Sequence, residues 1–199
     1  MIKAIIFDIG GVIFDEANSF QYSDLAKDLD IEPEKFIQVK DRHLEIAKIG
    51  KITGEEFMGK VAKDLSLDRN YVLKKWSERY KTKVIDGKMI KLVKKLKKSY
   101  SVIALSNTNE LHAKINYKRG VYSSFDKVFL SNEIKLAKPD KKIYLHVLKK
   151  LKLKPGECIF IDDKKENVNV AEELGINGVV FKDYKDLLKT LKKLRITLK

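Results

Sequence analysis

The chain has 199 residues, 44% hydrophobic and 9% aromatic with only 10 Gly and 3 Pro, a composition that buries a core and excludes disordered, collagen-like and low-complexity classes. Its formal charge is +14, from 42 Lys and Arg against 28 Asp and Glu, and its single cysteine, Cys158, excludes an internal disulfide and a thiolate zinc cluster. The first apolar stretch, Ala4 to Phe7, breaks at Asp8 and is too short for a signal h-region or a membrane span, so the cytoplasm is the default location.

Lys3 to Phe7 (KAIIF) is an apolar run closed by Asp-Ile-Gly-Gly, the pattern of a buried strand whose C-terminal tip opens into a loop. From about Asp15 to Val84 no strand pattern follows. Helical periodicities there are separated by Ile31-Glu32-Pro33, Lys51-Ile52-Thr53-Gly54 and Ser66-Leu67-Asp68, so the segment reads as a helical bundle inserted after the first strand. Thr53 with Glu56 three residues on has the form of a capping box, and Asp68 or Asn70 caps the next helix. Trp76 and Tyr80 share one helical face, which suits packing better than substrate stacking. The segment is nearly neutral, with 14 basic and 13 acidic residues between Glu16 and Val84, which leaves 28 basic against 15 acidic for the remainder.

Beyond Val84 the two periodicities alternate. Ser101 to Leu105, Lys127 to Leu130, Cys158 to Ile161 and Gly178 to Phe181 predict four more buried strands. Lys88 to Lys98, Asn109 to Tyr117, Lys141 to Leu151, Asn167 to Leu174 and Tyr184 to Leu194 predict amphipathic helices around them. Nearly continuous apolar strands separated by helices predict an α/β fold, a Rossmann-like parallel sheet with helices on both faces and right-handed crossovers. The division follows as a core of residues 1–15 and 85–199 and a helical cap of residues 16–84. Lysines such as Lys91, Lys94, Lys95, Lys97 and Lys98 fall at helical spacing without aromatic interleaving, so they read as solvated faces. A nucleic-acid partner is therefore disfavoured despite the charge, while small anions such as phosphate esters are favoured. His43, His112 and His146 are not spaced as ligands and read as helix-face residues, Cys158 reads as buried and inert, and Lys192 to Lys199 reads as a frayed end.

In an open parallel sheet, ligands bind beyond the carboxyl ends of the strands. The first strand ends in Asp8, the second in Ser106 and Asn107, and the fourth in Asp162 and Asp163, while Lys138-Pro139 precedes the helix leading to the fourth. Carboxylates facing a hydroxyl and an ammonium are the inventory of phosphoryl transfer through a carboxylate, with a divalent metal held on hard oxygens. Asp162 and Asp163 are equally suited to capping the helix that follows them.

FDIGGVIFD, LSN, KPD and FIDD, in this order, resemble the four motifs of the haloacid dehalogenase superfamily, and the insertion after the first motif resembles that superfamily's small helical cap. The stretch FIDDKKENVNVAEELGINGVVF resembles the epoxide hydrolase N-terminal and glucose-1-phosphatase-like branch. The resemblance implies that Asp8 attacks phosphorus and becomes an aspartyl-phosphate, that Lys138 neutralises the transferring group, and that Ser106 and Asn107 hold a phosphate oxygen. It further implies Mg²⁺ on Asp8, Asp163, Asp162 and the Gly10 carbonyl, with Asn167 orienting the loop, and a small phosphorylated metabolite, such as a sugar phosphate, as substrate.

One position departs from that pattern. The superfamily's phosphatases usually carry a second Asp two residues after the nucleophile as general acid and base, and here that position is Gly10. Three readings stay open: a phosphatase in which water, a leaving group of low pKa, Asp15 or Glu16 substitutes; a metal-independent 2-haloacid dehalogenase; or a catalytically weak or inactive binding protein. The Asp162-Asp163 pair favours the metal-dependent phosphatase.

Overall fold

Period-two alternation along the buried strands sorts their side chains onto two faces, and each face carries its own helices. The computed structural model describes residues 1–15 and 21–198. Strands β1 (Ala4–Phe7), β2 (Ser101–Ser106), β3 (Lys127–Leu130), β4 (Cys158–Asp162) and β5 (Asn177–Val180) form one parallel sheet in the order β3-β2-β1-β4-β5. Ile5, Phe7, Val102, Ala104, Ile159 and Ile161 point to one side and pack on helices α5 (Gly87–Leu96) and α10 (Tyr184–Lys193). Ala4, Ile6, Ile103, Leu105, Cys158 and Phe160 point to the other and pack on α8 (Lys141–Leu151) and α9 (Lys165–Glu173). Burial on both faces explains why each strand is almost wholly apolar.

Helix α5 illustrates the local logic. Asp86 caps it, its side chain accepting from the backbone N–H groups of Lys88 and Met89. Met89, Leu92, Val93 and Leu96 then form the buried stripe, while Lys88, Lys91, Lys94 and Lys95 are exposed. The lysine spacing is thus the solvent side of a packed helix.

Helices α1 (Tyr22–Asp28), α2 (Pro33–Ala47), α3 (Gly54–Asp64) and α4 (Arg69–Lys81) surround a separate apolar cluster centred on Trp76, which packs edge-on against Phe57. The Thr53–Glu56 capping box opens α3, and Asp68 rather than Asn70 caps α4. This bundle joins the sheet through a short antiparallel stalk: Phe14 bridges Ile85, Asp15 N–H donates to Val84 O at 2.9 Å, and Asp86 N–H donates to Ile13 O at 2.9 Å. It also leans on α6 (Glu110–Lys118), whose Ile115 joins its cluster. A four-residue helix, α7 (Ser131–Ile134), follows β3 and has no counterpart in the sequence reading.

The C-terminus departs from the frayed end expected. Arg195 turns in the left-handed region at φ 56°, Ile196 is buried against the sheet's first face, and Thr197 N–H donates to the Tyr100 hydroxyl at 3.0 Å. Among the described residues, no helix is long and apolar enough to cross a membrane.

Candidate active site

Register brings the predicted groups to one edge. Phe7 pairs with Ala104 on one side and Ile161 on the other, so Asp8 emerges level with the ends of β2 and β4. Its N–H still belongs to the ladder, donating to Ile161 O at 2.8 Å, which fixes the carboxylate's root. Lys138, arriving on the loop after α7, donates from Nζ to Asp8 Oδ1 at 2.8 Å, to Asp162 Oδ2 at 2.6 Å and to Leu105 O at 3.1 Å. Those three bonds use all three ammonium hydrogens.

The supporting residues hold this arrangement in place. Asn107 grips the Lys138 backbone at both ends of its amide: Nδ2 donates to Lys138 O at 2.8 Å, and Oδ1 accepts from Lys138 N–H at 2.9 Å. The amide grips the lysine, and Asn107 also lines the cavity. Asp162 is likewise engaged by protein donors. It is 0% exposed, and besides Lys138 its oxygens accept from Asn167 Nδ2 at 3.0 and 3.1 Å and from Lys164 N–H at 2.9 Å. Asp162 thus anchors the lysine, and it also belongs with Asp8 and Asp163 to the group of carboxylates close enough to hold an ion. Neither Asp162 nor Asp163 caps α9, whose N-cap is Lys164.

Burial pushes the Asp8 carboxyl up to about 6, against the pull of Lys138 and with a further push from Asp162. For Lys138, burial opposes the charge, but Asp8 and Asp162 together outweigh it and raise the ammonium above its ordinary value. Asp163 has an exposed surface yet stands between the cavity walls, and desolvation there, followed by the Asp162 charge, raises its pKa. Carboxylate oxygens of Asp8, Asp162 and Asp163 lie within 4.8 Å of one another. Three carboxyl groups gather around the Lys138 ammonium, and a divalent cation would offset the negative charge concentrated there. Asp8 and Asp163 face the cavity that Gly10 also lines, and hard carboxylate oxygens are the kind magnesium prefers. Gly11 makes room for this approach. Its φ is +66°, and a Cβ there would lie 2.5 Å from the Asp163 carboxylate.

Above these groups is a cavity of about 410 Å³, toward the small end of ligand pockets. Asp8, Gly10, Ser106, Asn107, Lys138 and Asp163 line its floor side. Among the described residues, the carboxylates that line it are Asp8 and Asp163. Asp15 belongs to the stalk and does not line it, and Glu16 lies outside the described residues.

The remaining wall was missed by the sequence reading, which assigned Tyr80 to packing. Thr108, Tyr22, Tyr80, Lys83, His112 and Asn116 line it. His112 lies on α6, as its reading as a helix-face residue implies, and is buried. Trp76 Nε1 donates to its Nε2 at 2.8 Å, and Tyr80 stacks on it with ring centroids 3.7 Å apart and planes within 5°. Trp76 is indeed packing, but Tyr80 both packs and faces the cavity. His43 instead pairs with Asp64, and His146 stands edge-on to Phe129. Burial pushes the Cys158 thiol up to about 11, as suits an inert core residue.

Known proteins are similar to this chain in sequence and fold. A D-ribitol-5-phosphate phosphatase of Bacteroides thetaiotaomicron is 27% identical over 191 residues, covering 88% of this chain and 89% of its own. A sesquiterpene phosphatase of Aspergillus oryzae is 28% identical over 188 residues, covering 91% and 90%. A solved haloacid dehalogenase family enzyme of Bacteroides thetaiotaomicron, in complex with magnesium and inorganic phosphate, superposes with a TM-score of 0.78 at 27% identity, covering 94% of this chain and 99% of that one. The family model of haloacid dehalogenase-like hydrolases matches residues 2–175, a span that contains every loop of the site. Since that single match takes in the Asp8 turn, the Ser106 strand end, Lys138 and the Asp162-Asp163 loop together, the chain belongs to the haloacid dehalogenase-like hydrolases.

Proposed function

We propose that this hydrolase removes phosphate from small phosphomonoesters with the help of Mg²⁺, through a covalent phosphate on Asp8. The observation that carries the reading is the Asp8 carboxylate at the cavity floor, tied through Oδ1 to Lys138 and standing beside Asp163. With Oδ1 engaged, Oδ2 is the attacking oxygen. It forms the bond to phosphorus as the ester P–O bond breaks, and the departing alcohol oxygen takes a proton from water. Water then attacks the aspartyl-phosphate, giving inorganic phosphate and restoring the carboxylate. Ser106, buried at the end of β2 and lining the cavity, holds a phosphoryl oxygen in line. Asn107 positions Lys138 through its backbone, and Asp162, held by Asn167, keeps the ammonium charged and aimed. Magnesium bound by Asp8, Asp163 and the Gly10 carbonyl would supply charge neutralisation to the phosphoryl oxygens.

The phosphatases among its relatives support this chemistry, and the solved relative bound to magnesium and phosphate supports the ion. Residues 16–84 act as a cap that closes the cavity and limits substrates to small phosphorylated metabolites, sugar phosphates among them, in place of nucleic acids.

The test is phosphate release from p-nitrophenyl phosphate and a metabolite panel, with magnesium and with chelator. Turnover that requires magnesium and drops at least ~10³-fold in Asp8→Asn is expected. Chelator-resistant halide release from a short 2-haloacid would replace this reading with the dehalogenase. No turnover above Asp8→Asn with any substrate would leave a binding protein.

A further inference from the structure

Among the described residues, three buried side-chain atoms have no hydrogen-bond partner, on Asn116, Arg119 and Asn132, and of these residues only Asn116 lines the active-site cavity. Asn116 is 2% exposed, and its Nδ2 donates to the Tyr80 hydroxyl at 3.0 Å and the Tyr122 hydroxyl at 3.3 Å, while Oδ1 accepts nothing. Buried amide oxygens are rarely left so. Beside it the wall is aromatic, with Tyr80 stacked flat on His112 and Phe14 and Tyr22 also lining the space.

We propose that Asn116, with Tyr80 and His112, forms the alcohol-binding end of the cavity and selects phosphomonoesters whose leaving group carries a further hydroxyl, a polyol or sugar phosphate. The proposal rests on the phosphatase reading and names its substrate class. A hydroxyl, both donor and acceptor, satisfies this amide in either orientation. If Oδ1 faces the substrate, the hydroxyl donates to it. If the amide is turned, with Oδ1 accepting from the two tyrosines, the hydroxyl accepts from Nδ2. An alkyl group satisfies neither orientation, and an ammonium satisfies only the first. A cavity of about 410 Å³ suits a metabolite rather than a polymer.

The experiment compares kcat/KM for matched pairs of alkyl and ω-hydroxyalkyl phosphates of three to six carbons, with p-nitrophenyl phosphate as the general substrate. The wild type is expected to favour the hydroxylated member of at least one pair by ~10–100-fold, the range of one hydrogen bond to a buried amide. In Asn116→Leu that ratio should fall to about threefold or less. Asn116→Ala, which opens space where Leu fills it, is the second variant and carries the same expectation. A wild type that cleaves p-nitrophenyl phosphate and treats every pair alike overturns the subsite and leaves the phosphatase standing. Variants that slow both members equally, keeping the ratio, also overturn it, since the loss is then structural. A wild type that releases phosphate from none of these esters removes both readings together.

Discussion

Lys138 is the residue on which most of the site's charge depends. It is 3% exposed and faces two carboxylates, Asp8 at 2.8 Å and Asp162 at 2.6 Å. Replacing it with methionine leaves two buried acids facing each other, and breaking a buried pair in that way costs about 3–5 kcal/mol. Lys138→Met is therefore expected to lower the urea midpoint sharply and abolish turnover, while Asp162→Asn in the same background recovers stability without activity. A single variant as stable as the wild type would contradict the pairing. Gly10 gives a second prediction at this scale. A Cβ at that position meets only the Asp8 Oδ2 atom, at the ordinary distance of 3.8 Å, so an aspartate can enter without displacing backbone. General acid catalysis is worth roughly 10²–10⁴ in rate. Gly10→Asp should raise kcat by ~10-fold or more on alkyl phosphates, whose leaving alkoxide needs a proton, and far less on p-nitrophenyl phosphate, whose leaving group does not. Equal gains on both would show that the carboxylate acts otherwise than as an acid.

Elements were legible where burial dictated them. Five apolar runs gave five strands within a residue or two at each end, because a strand covered on both faces has no room for polar side chains. The site's floor followed from the same reasoning, since Asp8, Ser106 and Asp162 are the first polar residues met at three strand ends. What each polar group bonds to was not legible: nothing in the order of Asn107, Lys138 and Asp162 says that the amide grips a backbone or that the acid is engaged by protein donors. Helix α7 was missed because four residues carry no periodicity. The tail was misread because its lysines mask one apolar residue that docks. Ile196 is 8% exposed and packs in the cluster that contains Leu187 and Leu191. Ile196→Ala is expected to cost about 2–3 kcal/mol in chemical denaturation, toward the lower part of the range for such truncations. A change under about 0.5 kcal/mol, the usual size at an exposed site, would restore the frayed end.

At the scale of the molecule, the helical bundle and the sheet domain meet across α6, and His112 is their hinge of contact. Gly54 N–H donates to Glu110 Oε2 at 2.6 Å, Ser131 donates to Lys48 O, and Gly50 turns at φ +58° where a Cβ would collide with Asn132 O. Deeper in, both ring nitrogens of His112 face N–H groups: Trp76 Nε1 at 2.8 Å from Nε2, and Asn109 Nδ2 at 3.3 Å from Nδ1. Burial pushes the His112 pKa down to about 3, Lys83 and Lys40 push the same way, and an imidazolium there would find donors where it needs acceptors. The sign of the consequence follows from linkage. Below the unfolded value of 6.5 the unfolded chain binds a proton that the folded chain refuses until about 3, so stability falls as pH falls across that window. Between pH 7.5 and 5.0 this single group removes about 2 kcal/mol, at a slope of about 1.4 kcal/mol per pH unit once below 6.5. His112→Gln keeps an acceptor for the indole and has no proton to take up, so its stability should decline less over the same interval by that amount. Trp76 is the only tryptophan in the chain, so its fluorescence reports the contact directly as denaturant is added. Parallel pH dependence in the wild type and His112→Gln would mean that the imidazole is protonated as readily in the folded protein as in the unfolded chain, and that the indole bond does not hold the bundle to the sheet.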